Sequence, residues 1–187
     1  MSVSLRPGLL LDRDGVINEE RQYLHDPKDL IVIAGVAEAI AAINRRKIPV
    51  AVVTNQAGIG RGMYGVDAYR AVNSAIEAFL ALSGAHIDAW YFCPHHPDVE
   101  CTCRKPRPGM VLDASNDLSL DLGRSVLVGD KVSDLEAGRA AGCRTVLVRT
   151  GYGRQVEAEL LATDRLQLAD LVSDSLSTSL PFLEGTF

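Results

Sequence analysis

Aromatic residues are few, at 5% of 187 positions, and positive charge is in deficit, with 19 Lys and Arg against 24 Asp and Glu. A net charge of −5 excludes broad binding to nucleic acid or to an anionic membrane surface, since both need a basic face. Any anionic ligand must therefore be held by local Arg and Lys. No apolar run reaches the roughly 20 residues of a membrane span, and no signal-peptide pattern heads the chain. A cytoplasmic location is the expectation. Cysteine is scarce too. Of Cys93, Cys101, Cys103 and Cys143, three fall within eleven residues beside histidines, which is metal-site spacing rather than a disulfide framework. Internal repeats, low-complexity tracts and long linkers are missing, so one domain over residues 1–187 is expected. No heptad or apolar patch asks for a partner copy, and a monomer is expected.

What is present is an alternation of apolar runs and amphipathic stretches. Leu9-Leu10-Leu11, Pro49 to Val53, Ile87 to Phe92, Ser125 to Asp130, Thr145 to Val148 and a short run near Leu171-Val172 read as strands. Helices are expected over 36–46, 66–82 and 108–118, from Ser133 to Ala141, and after Asp174. Ser133 and Glu136 have the spacing of a capping box. Residues 16–30 read as a loop covering a site, and 57–62 as a glycine-rich loop. Strands alternating with helices give an α/β fold, a doubly wound parallel sheet in three layers. In such a sheet ligands sit beyond the carboxyl ends of the strands.

The first apolar run ends in Asp12-Arg13-Asp14-Gly15. Residues i and i+2 of an extended chain face the same way, so Asp12 and Asp14 converge at a strand end. Two close carboxylates resist joint ionisation, and Mg²⁺ relieves that conflict. A metal-held carboxylate beside a second one able to move a proton suits phosphoryl transfer through an aspartyl-phosphate. The plain alternative is a solvated turn. Thr54 and Asp130 also sit at expected strand ends, which places compatible chemistry on one edge. Asp130 is the third metal oxygen donor, beside the Asp12 carboxylate and the Asp14 main-chain carbonyl. Asp134 reads first as a helix N-terminal acid. Thr54 and Asn55 offer donors to phosphoryl oxygens, while Arg104 and Lys105 offer fixed cations.

Cys93-x-His95, five residues, then Cys101-x-Cys103 suits a closed tetrahedral Zn²⁺ site with a role in folding. His95 is the expected ligand and adjacent His96 its rival; reduced cysteines in a loop are the alternative. Arg104 and Lys105 follow the last ligand directly, so zinc would pin the segment that aims them. Cys143 reads as a small core residue.

Asp12-Arg13-Asp14-Gly15, Thr54-Asn55-Gln56, Arg104-Lys105-Pro106 and Gly129-Asp130-Lys131 with Asp134 resemble the four motifs of haloacid dehalogenase-like phosphatases, from Leu9 to Val172. The cysteine loop is similar to that of the subfamily holding histidinol-phosphate and heptose-bisphosphate phosphatases. Residues 58–62, 93–97 and 105–110 look more like the heptose branch. The resemblance implies a Rossmann-like fold with a small zinc-binding loop and no large cap domain. It implies Asp12 as nucleophile, Asp14 as acid and then base, and Mg²⁺ at Asp12, Asp14 and Asp130. Thr54, Arg104 and Lys105 would surround the phosphoryl group. Asn18, Tyr23, Asn55, Gln56, Arg61 and Lys131 would join Arg104 and Lys105 in binding a small sugar phosphate. The implied reaction is loss of the 7-phosphate from a heptose 1,7-bisphosphate, with histidinol phosphate or another small phosphomonoester as the alternative substrate. Glu20-Arg21-Gln22 departs from the Asp-His-Gly of that branch. A signalling receiver domain or an inactive zinc-stabilised binding module are the rival classes. Receivers lack an acid two residues after the acceptor, and the complete acid, Thr and Lys set argues against an inactive module.

Overall fold

Six short apolar segments pair side by side, all parallel, in the order β3-β2-β1-β4-β5-β6. They are β1 (Leu9–Leu11), β2 (Val50–Asn55), β3 (Ala89–Cys93), β4 (Val126–Gly129), β5 (Arg144–Val148) and β6 (Leu171–Ser173) in a computed structural model that describes residues 4–187. The helices are α1 (Val36–Arg45), α2 (Ala57–Gly60), α3 (Val66–Ala81), α4 (Gly109–Leu118), α5 (Val132–Ala141), α6 (Gly153–Ala162) and α7 (Leu180–Thr186). Among them, none is long and apolar enough to cross a membrane.

Strand side chains alternate between faces, and that alternation builds three layers. Leu9, Leu11, Val50, Val52, Val126, Val128, Val146 and Val148 pack on one face with Val36, Ile40 and Ile43 of α1, Val72 and Ile76 of α3, and Leu183 of α7. Leu10, Ala51, Val53 and Leu127 point the other way, against Met110, Val111 and Ala114 of α4. On that same face Leu147 meets Leu135 of α5 and Val156 and Leu160 of α6. Truncating one of these fully buried leucines, such as Leu10, costs about 2–5 kcal/mol.

The chain lays β1 to β3 outward, then returns to place β4 on the other side of β1. That reversal opens a crevice at the carboxyl ends of β1 and β4. β1 stops after three residues because Asp12 and Asp14 follow it and Gly15, at φ 87°, turns the chain.

Three local expectations need correction. The 57–62 stretch is partly helical, as α2, and Gly60 lies so close to the zinc-loop segment that a Cβ would meet the His96 backbone nitrogen at 2.2 Å. The α5 cap shifts by two residues: Asp134, not Glu136, accepts the backbone N–H of the cap residue, Lys131, at 2.9 Å. Glu136 pairs with Arg165 instead. Finally, α6 had no counterpart in the sequence reading. It lacks a capping side chain, starts on glycine and buries only Gly153, Val156 and Leu160, so its helical signal is faint.

Candidate active site

Asp12 stands just past β1 with its backbone N–H on Val128 O of β4, which fixes it at the crevice. Its side chain is almost fully buried and receives the Arg13 backbone N–H at 2.8 Å and the Lys105 ammonium at 2.9 Å. Burial alone would raise the Asp12 pKa. Lys105 and then Lys131 outweigh that, and the carboxyl is held below its usual range. An ionised, oriented carboxylate is what a nucleophile requires.

Lys105 is itself buried, 2.7 Å from Asp134 Oδ1, and donates to Val53 O at 2.7 Å. Asn55, the last residue of β2, clamps the Lys105 backbone: its amide donates to Lys105 O and its carbonyl accepts Lys105 N–H. Asn55 thus has both amide atoms engaged while still lining the pocket. Asp134 acts on the lysine and on the α5 start, which agrees with its reading as a helix N-terminal acid.

Asp130, immediately after β4, is fully buried. Its Oδ2 accepts the Tyr152 backbone N–H at 2.8 Å, while Oδ1 has no hydrogen-bond partner. Two glycines make room for it. A Cβ at Gly15 (φ 87°) would lie 2.2 Å from Asp130 Oδ2, and one at Gly151 (φ 56°) 2.1 Å from the same oxygen. Burial first, and then the Asp12 charge, push the Asp130 carboxyl up to about 8. Asp12, Asp130 and Asp134 each offer an oxygen within 4.8 Å of the others. An orphaned buried oxygen, neighbouring carboxylates and an all-oxygen donor set fit a hard divalent cation such as Mg²⁺. Asp12 and Asp130 are the free donors, since both Asp134 oxygens face Lys105 or Lys131 N–H.

Asp14 turns toward the pocket and accepts from Arg13 Nε and Nη2, Asn18 Nδ2 and Gln56 Nε2, at 2.9 to 3.2 Å. Arg13 is a fully buried arginine under the site, also donating to Asn73 and Gln56 and lying over the Tyr69 ring. Sequence reasoning passed over it. The alternation expected over Asp12, Arg13 and Asp14 stops where β1 does, at Leu11: the Asp14 carboxylate turns to the Arg13 guanidinium and stays out of the oxygen cluster of Asp12, Asp130 and Asp134, and a buried arginine needs such a partner.

A cavity of about 590 Å³ opens beside this rim, lined by Asp14, Glu20, Gln22, Tyr23, Asn55, Gln56, Tyr64, Lys131, Tyr152 and Gln155. Of the expected substrate contacts, Tyr23, Asn55, Gln56 and Lys131 are in its wall. Asn18 is buried behind Asp14, and Thr54 accepts from Gln56. Arg61 is exposed at the α2 end, and Arg104 faces away, donating to His95 O. Neither arginine lines the cavity. Tyr64, Tyr152 and Gln155 carried no sequence signal.

Cys93, His95, Cys101 and Cys103 form the second cluster able to hold a metal. Cys93 Sγ is 3.5 Å from His95 Nδ1 and 3.7 Å from Cys101 Sγ, and Cys103 Sγ is 3.3 Å from His95 Nδ1. Tetrahedral ligands around an ion with bonds of about 2.3 Å stand about 3.7 Å apart, so the spacing suits one ion. His96 lies outside the cluster, beside Asp98.

A HAD-hydrolase-like family profile matches residues 102–178. A D-glycero-beta-D-manno-heptose-1,7-bisphosphate 7-phosphatase of Vibrio cholerae is 43% identical over 166 residues, covering 84% of this chain and 89% of that protein. The D-glycero-alpha-D-manno-heptose-1,7-bisphosphate 7-phosphatase of Burkholderia mallei is 45% identical over 147 residues, covering 75% and 78%. Among solved structures, the D,D-heptose 1,7-bisphosphate phosphatase of B. bronchiseptica complexed with magnesium and phosphate superposes with a TM-score of 0.88 at 35% identity, covering 96% of this chain and 99% of that one. With relatives this similar over most of its length, the chain belongs to the heptose-1,7-bisphosphate 7-phosphatase family of haloacid dehalogenase-like hydrolases.

Proposed function

We propose that this protein removes the 7-phosphate of a D-glycero-D-manno-heptose 1,7-bisphosphate, as the names of its relatives describe for them. The observation that carries the reading is the buried trio of Asp12, Lys105 and Asp130 at the rim of a cavity rich in hydrogen-bonding groups. A carboxylate oxygen of Asp12 attacks phosphorus as the bond to the sugar oxygen breaks, and Asp14 gives that oxygen its proton. Water then attacks the aspartyl-phosphate, Asp14 takes the water proton, and phosphate leaves Asp12. Lys105 holds Asp12 ionised and faces charge that develops on the phosphoryl oxygens. Mg²⁺, held by Asp12, Asp130 and the Asp14 main chain, supplies charge neutralisation on those oxygens. Thr54, near the carboxyl end of the neighbouring strand β2, adds a hydroxyl to the same edge.

Zn²⁺ is the cation best suited to the three thiols and one imidazole of the cysteine loop, and it serves the fold. Bound there, it would fix the loop whose residues Pro94 to His96 pack against Gly60 of α2 and whose last ligand, Cys103, leads directly into Arg104 and Lys105. Arg61 and Arg104, neither of which lines the cavity, reach a bound sugar only if their side chains swing inward. The continuous six-stranded sheet supports one domain over the whole chain.

The deciding test compares kcat/KM for both anomers of the heptose bisphosphate with histidinol phosphate. A heptose bisphosphate is expected to win by at least about a hundredfold, the scale set by buried polar contacts to the preferred ligand. A preference for histidinol phosphate overturns the reading.

A further inference from the structure

Lys131 is the sole cation among the residues lining the cavity, and it is already engaged. Its Nζ lies 2.8 Å from Glu20 Oε2, 3.9 Å from Asp130 Oδ1 and 4.9 Å from the centroid of the Tyr152 ring. The other Glu20 oxygen accepts the Gln22 N–H at 3.0 Å. One carboxylate therefore shapes the tip of the covering loop and neutralises the lysine. Arg13 pairs with Asp14 beneath the wall and Glu20 pairs with Lys131 on it, so the free cavity offers no unpaired positive charge. A phosphorylated ligand needs one.

We propose that Glu20 is a displaceable counter-ion: it occupies Lys131 in the free enzyme and yields it to an anionic oxygen of the incoming phosphate. This rests on the phosphomonoester reading of the site. Glu20 thereby sets how tightly the cavity holds phosphate, and it discriminates against weakly charged ligands that cannot displace it. The pair is suited to being broken. Lys131 keeps 36% of its side-chain surface and Glu20 17%, so the contact is partly hydrated and of modest strength. The loop stays anchored when the pair opens, because Glu19 N–H donates to Ile31 O and Ile33 N–H to Ile17 O independently of Glu20. Glu20 is thus a specificity-determining residue that acts through Lys131.

The test is calorimetric titration of inorganic phosphate into the Mg²⁺-loaded enzyme. Phosphate is the product of any phosphomonoester reaction, so the measurement does not depend on which sugar is the substrate. Glu20→Gln keeps the shape and removes the charge; its phosphate Kd is expected to fall about fivefold, the scale of a partly exposed ion pair. KM for a phosphorylated substrate should fall with it. Lys131→Gln alone should weaken phosphate binding, and adding Glu20→Gln to it should change nothing further. Unchanged or weaker phosphate binding in Glu20→Gln overturns the proposal, as does equal tightening with and without Lys131, which would mark a general charge effect. Glu20→Ala reads the same shift should the glutamine variant fail to fold. If heptose bisphosphates prove not to be substrates while Glu20→Gln still tightens phosphate only in the presence of Lys131, the substrate reading fails and this one stands.

Discussion

The reacting rim and the cavity wall beside it are built in different ways. The rim hangs from three neighbouring parallel strands: Asp12 after β1, Thr54 on β2 and Asp130 after β4, with backbone pairing that sets their spacing. Each rim group is buried, and each has at least one hydrogen bond that fixes it. The wall comes from the covering loop, α2 and the start of α6, and several of its groups remain partly exposed. Chemistry that must not move is placed on the sheet, while contacts that select the ligand sit where the chain is free to vary.

That contrast predicts unequal costs. Asp12→Asn should lower kcat by at least about a thousandfold while leaving far-ultraviolet circular dichroism and cysteine-loop metal content unchanged. Retained turnover would remove Asp12 as nucleophile. Gly151→Ala should come next. The added methyl has backbone as well as the Asp130 oxygen in its way, with Gly15 Cα at 2.7 Å, and its φ of 56° adds strain. Mg²⁺ affinity is expected to fall about 10- to 100-fold in a titration of activity against Mg²⁺. Cys101→Ser should remove the metal of the cysteine loop, read by atomic absorption, and lower Tm by roughly 5–10 °C, corresponding to a few kcal/mol in a chain of this size. Gln155→Ala, on the wall, should raise KM no more than about threefold with kcat unchanged.

The rim also makes a prediction about pH. The Asp130 carboxyl, pushed up to about 8 by burial and by Asp12, binds a proton in the folded protein that the unfolded chain releases near its ordinary value of 3.8. The native state then holds more protons between those values, so stability without Mg²⁺ falls as pH rises through that window. Mg²⁺ competes with the proton, and the Tm gain it brings should widen from pH 6 to about 8. A gain that stays constant would contradict Asp130 as a donor.

How legible each region was follows from the same physics. Apolar runs closed by Asp12, Thr54 and Asp130 announced both the sheet and its functional edge, because strand burial and strand-end chemistry are written locally. The cysteine loop was legible through ligand spacing, although only the fold separates His95 from His96. Arg13 escaped notice because its role comes from Asn73 and Gln56, distant in sequence. Tyr152 and Gln155 escaped because α6 lacks a cap and has a thin apolar face. Arg61 and Arg104 read as cavity cations, yet neither lines it: Arg61 is exposed at the end of α2, and the Arg104 guanidinium is spent on His95 O. Side-chain direction at such points depends on packing that no local pattern encodes.

The central claim is that Asp12 carries the phosphoryl group between the two halves of the reaction. Rapid acid quenching of the Mg²⁺-loaded enzyme during turnover, followed by peptide mass spectrometry, tests it directly. The account predicts a phosphoryl adduct confined to the peptide holding Asp12, formed and consumed at rates compatible with kcat. Phosphate release with no adduct, or with the adduct on another residue, would contradict it.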